Sequence, residues 1–79
     1  MYYLYVLKST IAPRHYIGIT DNLEKRLAKH NSASVKSTKP YRPWQLAYYE
    51  DFTDKTSARK QEIYLKKNFK TREELFKKI

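Results

Sequence analysis

The chain has 79 residues and no cysteine, and its 17 Lys and Arg residues against 8 Asp and Glu give a formal net charge of +9. So short a chain forms one domain at most, here residues 1–79, and the absence of cysteine excludes a disulfide framework and thiolate-bound zinc. The charge favours nucleic acid as a partner, because Lys and Arg contacts to phosphate release condensed counterions; solubility or an anionic membrane surface are the alternative explanations. No run approaches the ~20 apolar residues that span a bilayer, and no basic stretch leads into an apolar one at the amino terminus, so we expect a cytoplasmic protein that does not bind membranes.

The first third of the chain predicts a β-hairpin. Residues 2–7 are aromatic and β-branched, which is typical of a strand buried on both faces, and residues 15–19 predict a second strand. The loop at residues 8–14 is of a length that allows antiparallel pairing. Gly18 is the only glycine in the chain. Since glycine weakens a strand, we expect it to permit the close approach of another backbone or of a ligand.

A helix is predicted next, beginning at Asp21 with Glu24 as its reciprocal cap and ending near Asn31. Leu23, Leu27 and His30 share one helical face, and Arg26 lies beside that face, one turn before His30. Residues 32–43 have two prolines and no periodicity, which predicts a loop. Its hydroxyl and lysine side chains suit a phosphate-binding flap, and a solvated connector is the alternative.

The last third predicts a strand followed by two helices. Residues 45–52 form the strand, and Thr53 or Asp54 caps a helix that runs to about Asn68. The apolar line of that helix contains Ala58, Leu65 and Phe69, and Glu62 falls on the same line. Thr71, with Glu74 three residues later, opens a short final helix that carries Leu75 and Ile79. The order β-β-α-β-α-α indicates a small α+β domain with a mostly antiparallel sheet.

Five residues are candidates for chemistry. Glu62 is the most telling by position, because a carboxylate on an apolar line needs a partner: either a Lys or Arg at the edge of the core, or a hard cation such as Mg²⁺. Arg26 offers a planar fork for phosphate oxygens, and His30 can exchange a proton near neutrality. A solvated helix charge and an edge-of-core ring are the alternatives for these two. Tyr5 and Tyr16 lie on adjacent strands, where tyrosine usually fills a core.

Taken in order, several segments of the chain resemble the GIY-YIG nuclease superfamily, and closely its small single-domain bacterial members. The resemblance covers nearly the full length, and it rests on Tyr3-Leu4-Tyr5, Tyr16-Ile17-Gly18, Arg26-Leu27 with His30, Lys36-Ser37-Thr38 ahead of Arg42-Pro43-Trp44, and the stretch from Ala58 to Leu65 with Glu62. Tyr3 stands where many relatives carry the name-giving glycine.

The resemblance implies a central three-stranded antiparallel sheet flanked by helices. It implies that Tyr5 and Tyr16 lie at the active site, with Arg26 as the phosphate-stabilising cation and Glu62 as the ligand of one Mg²⁺ or Mn²⁺ ion. His30 corresponds to a histidine that takes part in some relatives. The implied activity is metal-dependent cleavage of nucleic acid, DNA in preference to RNA.

Two other functions are open from the sequence: a basic module that binds nucleic acid without cleaving it, and a subunit that needs a partner protein for targeting. Either tyrosine or His30 could act as the base, and the oligomeric state is open. The nuclease interpretation requires that Glu62 and Arg26 face the same shallow, phenol-lined depression.

Overall fold

The structure, a computed structural model, describes residues 1–32 and 34–79. Its strands are β1 (Tyr2–Ser9), β2 (His15–Thr20) and β3 (Trp44–Phe52). Its helices are α1 (Leu23–Asn31), α2 (Lys55–Lys67) and α3 (Phe69–Lys78), and a short 3-10 turn, Lys39–Tyr41, lies between α1 and β3. Within the described residues, no helix is long enough and apolar enough to cross a membrane.

The three strands form one antiparallel sheet in the order β2-β1-β3. Tyr5 of β1 stands opposite Gly18 of β2 on one side and opposite Tyr49 of β3 on the other. The pairing of β1 with β3 shifts register between Val6 and Leu7. The predicted class is confirmed: an α+β fold with a three-stranded antiparallel sheet and the order β-β-α-β-α-α.

The alternation of side chains along β1 divides the core into two halves, because successive residues point to opposite faces of a sheet. Leu4 and Val6 pack with Leu65 of α2 and with partly buried residues of α3. Tyr5 and Leu7 pack on the other face, against Trp44 and the leucines of α1. β1 is therefore buried on both faces, as predicted, and Tyr5 lies on the α1 side.

The start of α1 differs from the prediction. Asn22 is the N-cap, with its side-chain oxygen accepting the N–H of Lys25 at 3.1 Å, so the expected reciprocal cap between Asp21 and Glu24 is wrong. The reason lies in the turn after β2, where the Thr20 hydroxyl accepts the N–H of Asn22 at 3.2 Å. Asn22 has extended backbone angles there (φ −146°, ψ 101°), as an N-cap requires.

The two C-terminal helices also depart from the pattern. Asp54, one of the two predicted caps, does cap α2, and α2 ends at Lys67 with Asn68 as its C-cap, close to the predicted end; α3, however, begins at Phe69 rather than at Thr71. Asn68 interrupts the helix, since its side chain donates to the carbonyl of Tyr64 at 2.7 Å and competes with the backbone. Phe69 therefore leaves the buried line of α2 and is 65% exposed, so its assignment to the core was wrong.

Candidate active site

Tyr5 lies at the centre of the candidate site. It is 1% exposed, and its hydroxyl lies 3.1 Å from the Nε of Arg26 and 3.1 Å from the Nε2 of His30. Gly18 makes room for the ring, because a Cβ at that position would lie 2.6 Å from the Tyr5 hydroxyl oxygen. A group does approach Gly18 closely, but it is the side chain of Tyr5 rather than the backbone or the ligand that the sequence led us to expect.

His30 is completely buried, and both of its ring nitrogens lie within hydrogen-bond distance of a hydroxyl. Nε2 faces Tyr5, and Nδ1 lies 2.9 Å from the Oγ1 of Thr38. Burial, reinforced by the positive charges of Arg26 and Lys29, lowers the pKa of His30 from its ordinary value of 6.5. The ring is therefore neutral at neutral pH, and its place is the interior rather than the edge of the core.

The last two turns of α1 hold Arg26 and His30 in place. Asn31 clamps the end of the helix to the start of β3, since its side chain donates to the carbonyl of Trp44 at 3.0 Å and accepts the N–H of the same residue at 2.6 Å. Arg26 and His30 thus reach Tyr5 from consecutive turns of a helix that is fixed at its C-terminal end.

Tyr16, on β2, completes the aromatic part of the site and is the more accessible of the two candidate tyrosines. Its ring centroid lies 4.7 Å from that of His30 and 6.2 Å from that of Tyr5. The hydrogen bond to Tyr5, together with the neighbouring phenol of Tyr16, raises the pKa of Arg26. The guanidinium is therefore charged at any relevant pH, and it lies between two phenols.

Glu62 forms an ion pair with Lys66, which is one of the two arrangements expected for its carboxylate. Its carboxylate, on a side chain 19% exposed, accepts from the Nζ of Lys66 at 3.1 Å, one turn further along α2. The carboxylate also acts on the site: burial raises the pKa of Tyr5, the hydrogen bond and charge of Arg26 oppose this, and the neighbouring Tyr16 and Glu62 add to it. Arg26 thus contacts this phenol directly, whereas Glu62, on α2, makes the smallest of these contributions to its pKa.

The described residues contain no group of three or more His, Asp or Glu side chains that could hold a metal ion. Mg²⁺ does not require such a group, because it is commonly held by one or two carboxylates together with waters and substrate phosphate oxygens. Glu62 fits the single-carboxylate form of such a site, provided that Lys66 releases it.

Four shallow depressions among the described residues border Arg26 or Tyr16, and none of the four is lined by both Arg26 and Glu62, although the nuclease interpretation expected these two to share one. Two of the four also contain a cation of α2: one, of about 260 Å³, is lined in part by Arg26 and Lys55, and the other, of about 280 Å³, by Tyr16, Lys66 and Arg72. A phosphate group could meet positive charge in either. A larger depression, about 560 Å³, lies elsewhere, and its lining includes the aromatic side chains of Tyr3 and Tyr49 and the acidic side chains of Asp21 and Glu24.

Sequence reasoning missed Thr38 as an individual residue of the site. The segment that contains Lys36, Ser37 and Thr38 was predicted to be a phosphate-binding flap or a solvated connector, whereas Thr38 is 2% exposed and contacts His30. The available signal was its place in that segment, just before Trp44. The Trp44 indole N–H donates to the Thr38 carbonyl at 2.9 Å and holds the loop against the core.

Comparison with known proteins identifies the family of the chain. A family model described as the GIY-YIG catalytic domain matches residues 1–76. The chain is 47% identical to a UPF0213 protein of Lactiplantibacillus plantarum over 82% of its own length and 66% of the relative's. It is 41% identical to a UPF0213 protein of Clostridium perfringens (85% and 72%) and 38% identical to one of Bacillus pumilus (95% and 76%). The chain thus spans slightly less than two thirds of the first relative. No solved structure matches it significantly. The chain belongs to the GIY-YIG nuclease family.

Proposed function

We propose that the protein is a divalent-metal-dependent endonuclease that hydrolyses phosphodiester bonds in nucleic acid, DNA in preference to RNA. The observation that carries the proposal is the contact of Arg26 with the buried Tyr5 hydroxyl, beside the second phenol, Tyr16. Family membership and the net charge of +9 support the same function.

Arg26 is the group that holds the phosphate. Tyr5 engages the Nε–H of the guanidinium at 3.1 Å, which leaves the terminal N–H groups for phosphoryl oxygens. A guanidinium fixed in advance stabilises the charge that develops on those oxygens during attack, without having to reorganise. Tyr5 and His30 orient this cation.

Tyr16 is the base in this proposal. Tyr5 and His30 are 1% and 0% exposed and are hydrogen-bonded to each other, whereas Tyr16 is partly exposed and borders one of the two depressions. Tyr16 acts in its deprotonated form, after its own proton has passed to solvent: the phenolate oxygen accepts a proton from a water as the water oxygen bonds to phosphorus. The bond from phosphorus to the leaving oxygen breaks, and that oxygen takes up a proton from solvent.

Glu62 is the residue that would hold the metal ion. A divalent cation bound there supplies neutralisation of the phosphate and of the leaving oxygen. Lys66 neutralises the carboxylate in the structure. With a cation held at Glu62, the ammonium of Lys66 would be available to the substrate in the depression that it lines together with Tyr16.

The test is a cleavage assay on plasmid, single-stranded DNA and structured RNA with Mg²⁺, Mn²⁺ or EDTA. We expect Arg26→Ala and Glu62→Ala each to lower the cleavage rate by at least ~10²–10³-fold, with circular dichroism unchanged. Arg42→Ala and Glu74→Ala remove the same charges at exposed positions that do not line the two depressions and should cleave normally. Undiminished cleavage by both site variants in the presence of Mg²⁺ would refute the proposal.

The Lys66–Glu62 pair favours one alternative, a basic module that binds nucleic acid without cleaving it, because there the carboxylate has its partner already. The same experiment separates the two functions. Substrate that is shifted in the gel but intact under every metal condition would favour the binding module.

A further inference from the structure

Thr38 is buried at a point where a loop residue would ordinarily be solvated. Its Oγ1 lies 2.9 Å from the Nδ1 of His30 and 3.3 Å from the carbonyl oxygen of Val35, to which the hydroxyl donates. Its backbone carbonyl accepts the indole N–H of Trp44. The hydroxyl is therefore held in one position, in direct contact with a residue that touches Tyr5.

The donors and acceptors in this cluster are consistent with one direction of hydrogen bonding. The guanidinium of Arg26 can only donate, so the Tyr5 oxygen accepts from it, and the Tyr5 proton is then directed to the Nε2 of His30. The neutral ring carries its single proton on Nδ1 and donates it to Thr38, whose own proton goes to the Val35 carbonyl. This assignment follows from the network rather than from observed hydrogen atoms.

We propose that Thr38 is a positioning residue that keeps His30 in the Nδ1–H tautomer and, through His30, orients the Tyr5 hydroxyl toward Arg26. The opposite tautomer would place an N–H on Nε2, facing Tyr5. The phenol oxygen would then face two donors, and its own proton would have no acceptor at a site 1% exposed. A buried donor without an acceptor is unfavourable, so the contact with Arg26 would be lost or distorted.

The catalytic consequence of this proposal rests on the proposed nuclease function, but the tautomer itself can be measured without it. The comparison is Thr38→Val, which removes the hydroxyl at nearly constant shape, against Thr38→Ser, which keeps it. Long-range ¹⁵N NMR of the imidazole rings near neutral pH reports the tautomer, and His15 serves as the internal control. We expect Nδ1–H at His30 in the wild type and in Thr38→Ser, and a shift toward Nε2–H in Thr38→Val.

Cleavage is the second measurement. Thr38→Val should lower kcat by about 10- to 100-fold, as is typical when the hydrogen-bond partner of a site residue is lost, with little change in KM. Thr38→Ser should restore kcat. A merely structural role would lower thermal stability in Thr38→Val without changing the His30 tautomer.

Each outcome decides one part of the proposal. An Nε2–H tautomer in the wild type, which needs no variant, or an unchanged tautomer in Thr38→Val, would overturn it. A changed tautomer with normal kcat would overturn the link from Thr38 to catalysis. Absence of cleavage by the wild type would count against the nuclease function, while the NMR result would still decide the role of Thr38.

Discussion

The position of Tyr5 on β1 depends on Gly18 of β2, which has no side chain. Tyr5 and Gly18 are paired across the hairpin, and the ring of Tyr5 covers the backbone of Gly18. The ring has no room to withdraw, because it is buried among Leu7, Trp44 and the leucines of α1. Glycine is therefore needed at position 18 because a side chain there would collide with Tyr5, and not because of its backbone conformation.

Gly18→Ala should destabilise the protein by about 1–3 kcal/mol, the usual cost of overpacking a core. The added methyl group would displace the Tyr5 hydroxyl from Arg26 and His30, so cleavage should also fall. Urea unfolding and the cleavage assay measure the two effects.

A double-mutant cycle identifies the cause of this effect. In a Tyr5→Leu background the clash is absent, so Gly18→Ala should cost much less there. An equal cost in both backgrounds would place the strain in the β2 backbone and contradict the explanation.

The sequence predicted part of the site because part of it is local. The spacing of Arg26 and His30 places them one turn apart on a helix, and the hairpin puts Tyr5 and Tyr16 on paired strands. The burial of Thr38 was not predictable in this way. It depends on contacts of the loop with Trp44 and His30, and no periodicity encodes them. The Lys66 partner of Glu62 is an i,i+4 pair, which local spacing can suggest but not distinguish from a metal site.

α1 is held by asparagine at both ends. Asn22 caps the first turn, and Asn31 bonds to both backbone groups of Trp44. The helix that carries Arg26 and His30 is thus fixed to the turn after β2 and to the start of β3. Its two site residues have little freedom to move relative to the sheet.

Asn22→Ala should lower the free energy of unfolding by about 1 kcal/mol, because the N–H of Lys25 loses its acceptor. Asp21→Ala is the matched control, and it should change stability by a few tenths of a kcal/mol at most, through its charge near the helix N-terminus. Urea unfolding of both variants is the measurement. A larger loss of unfolding free energy in Asp21→Ala than in Asn22→Ala would show that Asp21, the cap predicted from the sequence, is the residue that caps α1.

The errors at the helix ends have one physical origin. The periodic spacing of apolar residues predicts that each helix forms. Its first and last residues, however, are set by single hydrogen bonds between a side chain and the backbone. Thr20 and Asn68 make such bonds, and accordingly α1 begins one residue later than predicted and α3 begins at Phe69 instead of Thr71. Side chains of this kind form hydrogen bonds that replace those within the helix backbone, and the conformation of the surrounding turn decides which of the two forms.

The whole molecule should be most stable between neutral and mildly alkaline pH. Burial lowers the pKa of His30 and His15 and raises that of Tyr5. As pH falls through about 6.5, the unfolded chain binds protons that the folded chain does not, so stability is lost on the acid side. Above about pH 10 the unfolded tyrosine ionises before the folded one, so stability is lost there as well.

Urea unfolding at constant ionic strength from pH 5 to 8 tests the acid side. The free energy of unfolding should rise with pH over this range. The rise should persist in His15→Gln, in which His30 is the one histidine left. A flat profile in that variant would show that His30 titrates alike in the folded and unfolded chains.

The central place of β1 has a further consequence for how the protein opens. Both edges of this strand are paired, and both of its faces are covered. Amide hydrogens in such a strand exchange with solvent chiefly through opening of the entire chain, so those around Tyr5 should be among the slowest. A partly unfolded state in which β1 leaves the sheet would lose the contacts of Tyr5 with Arg26 and His30. In increasing denaturant, the cleavage rate should therefore follow the fraction of folded molecules.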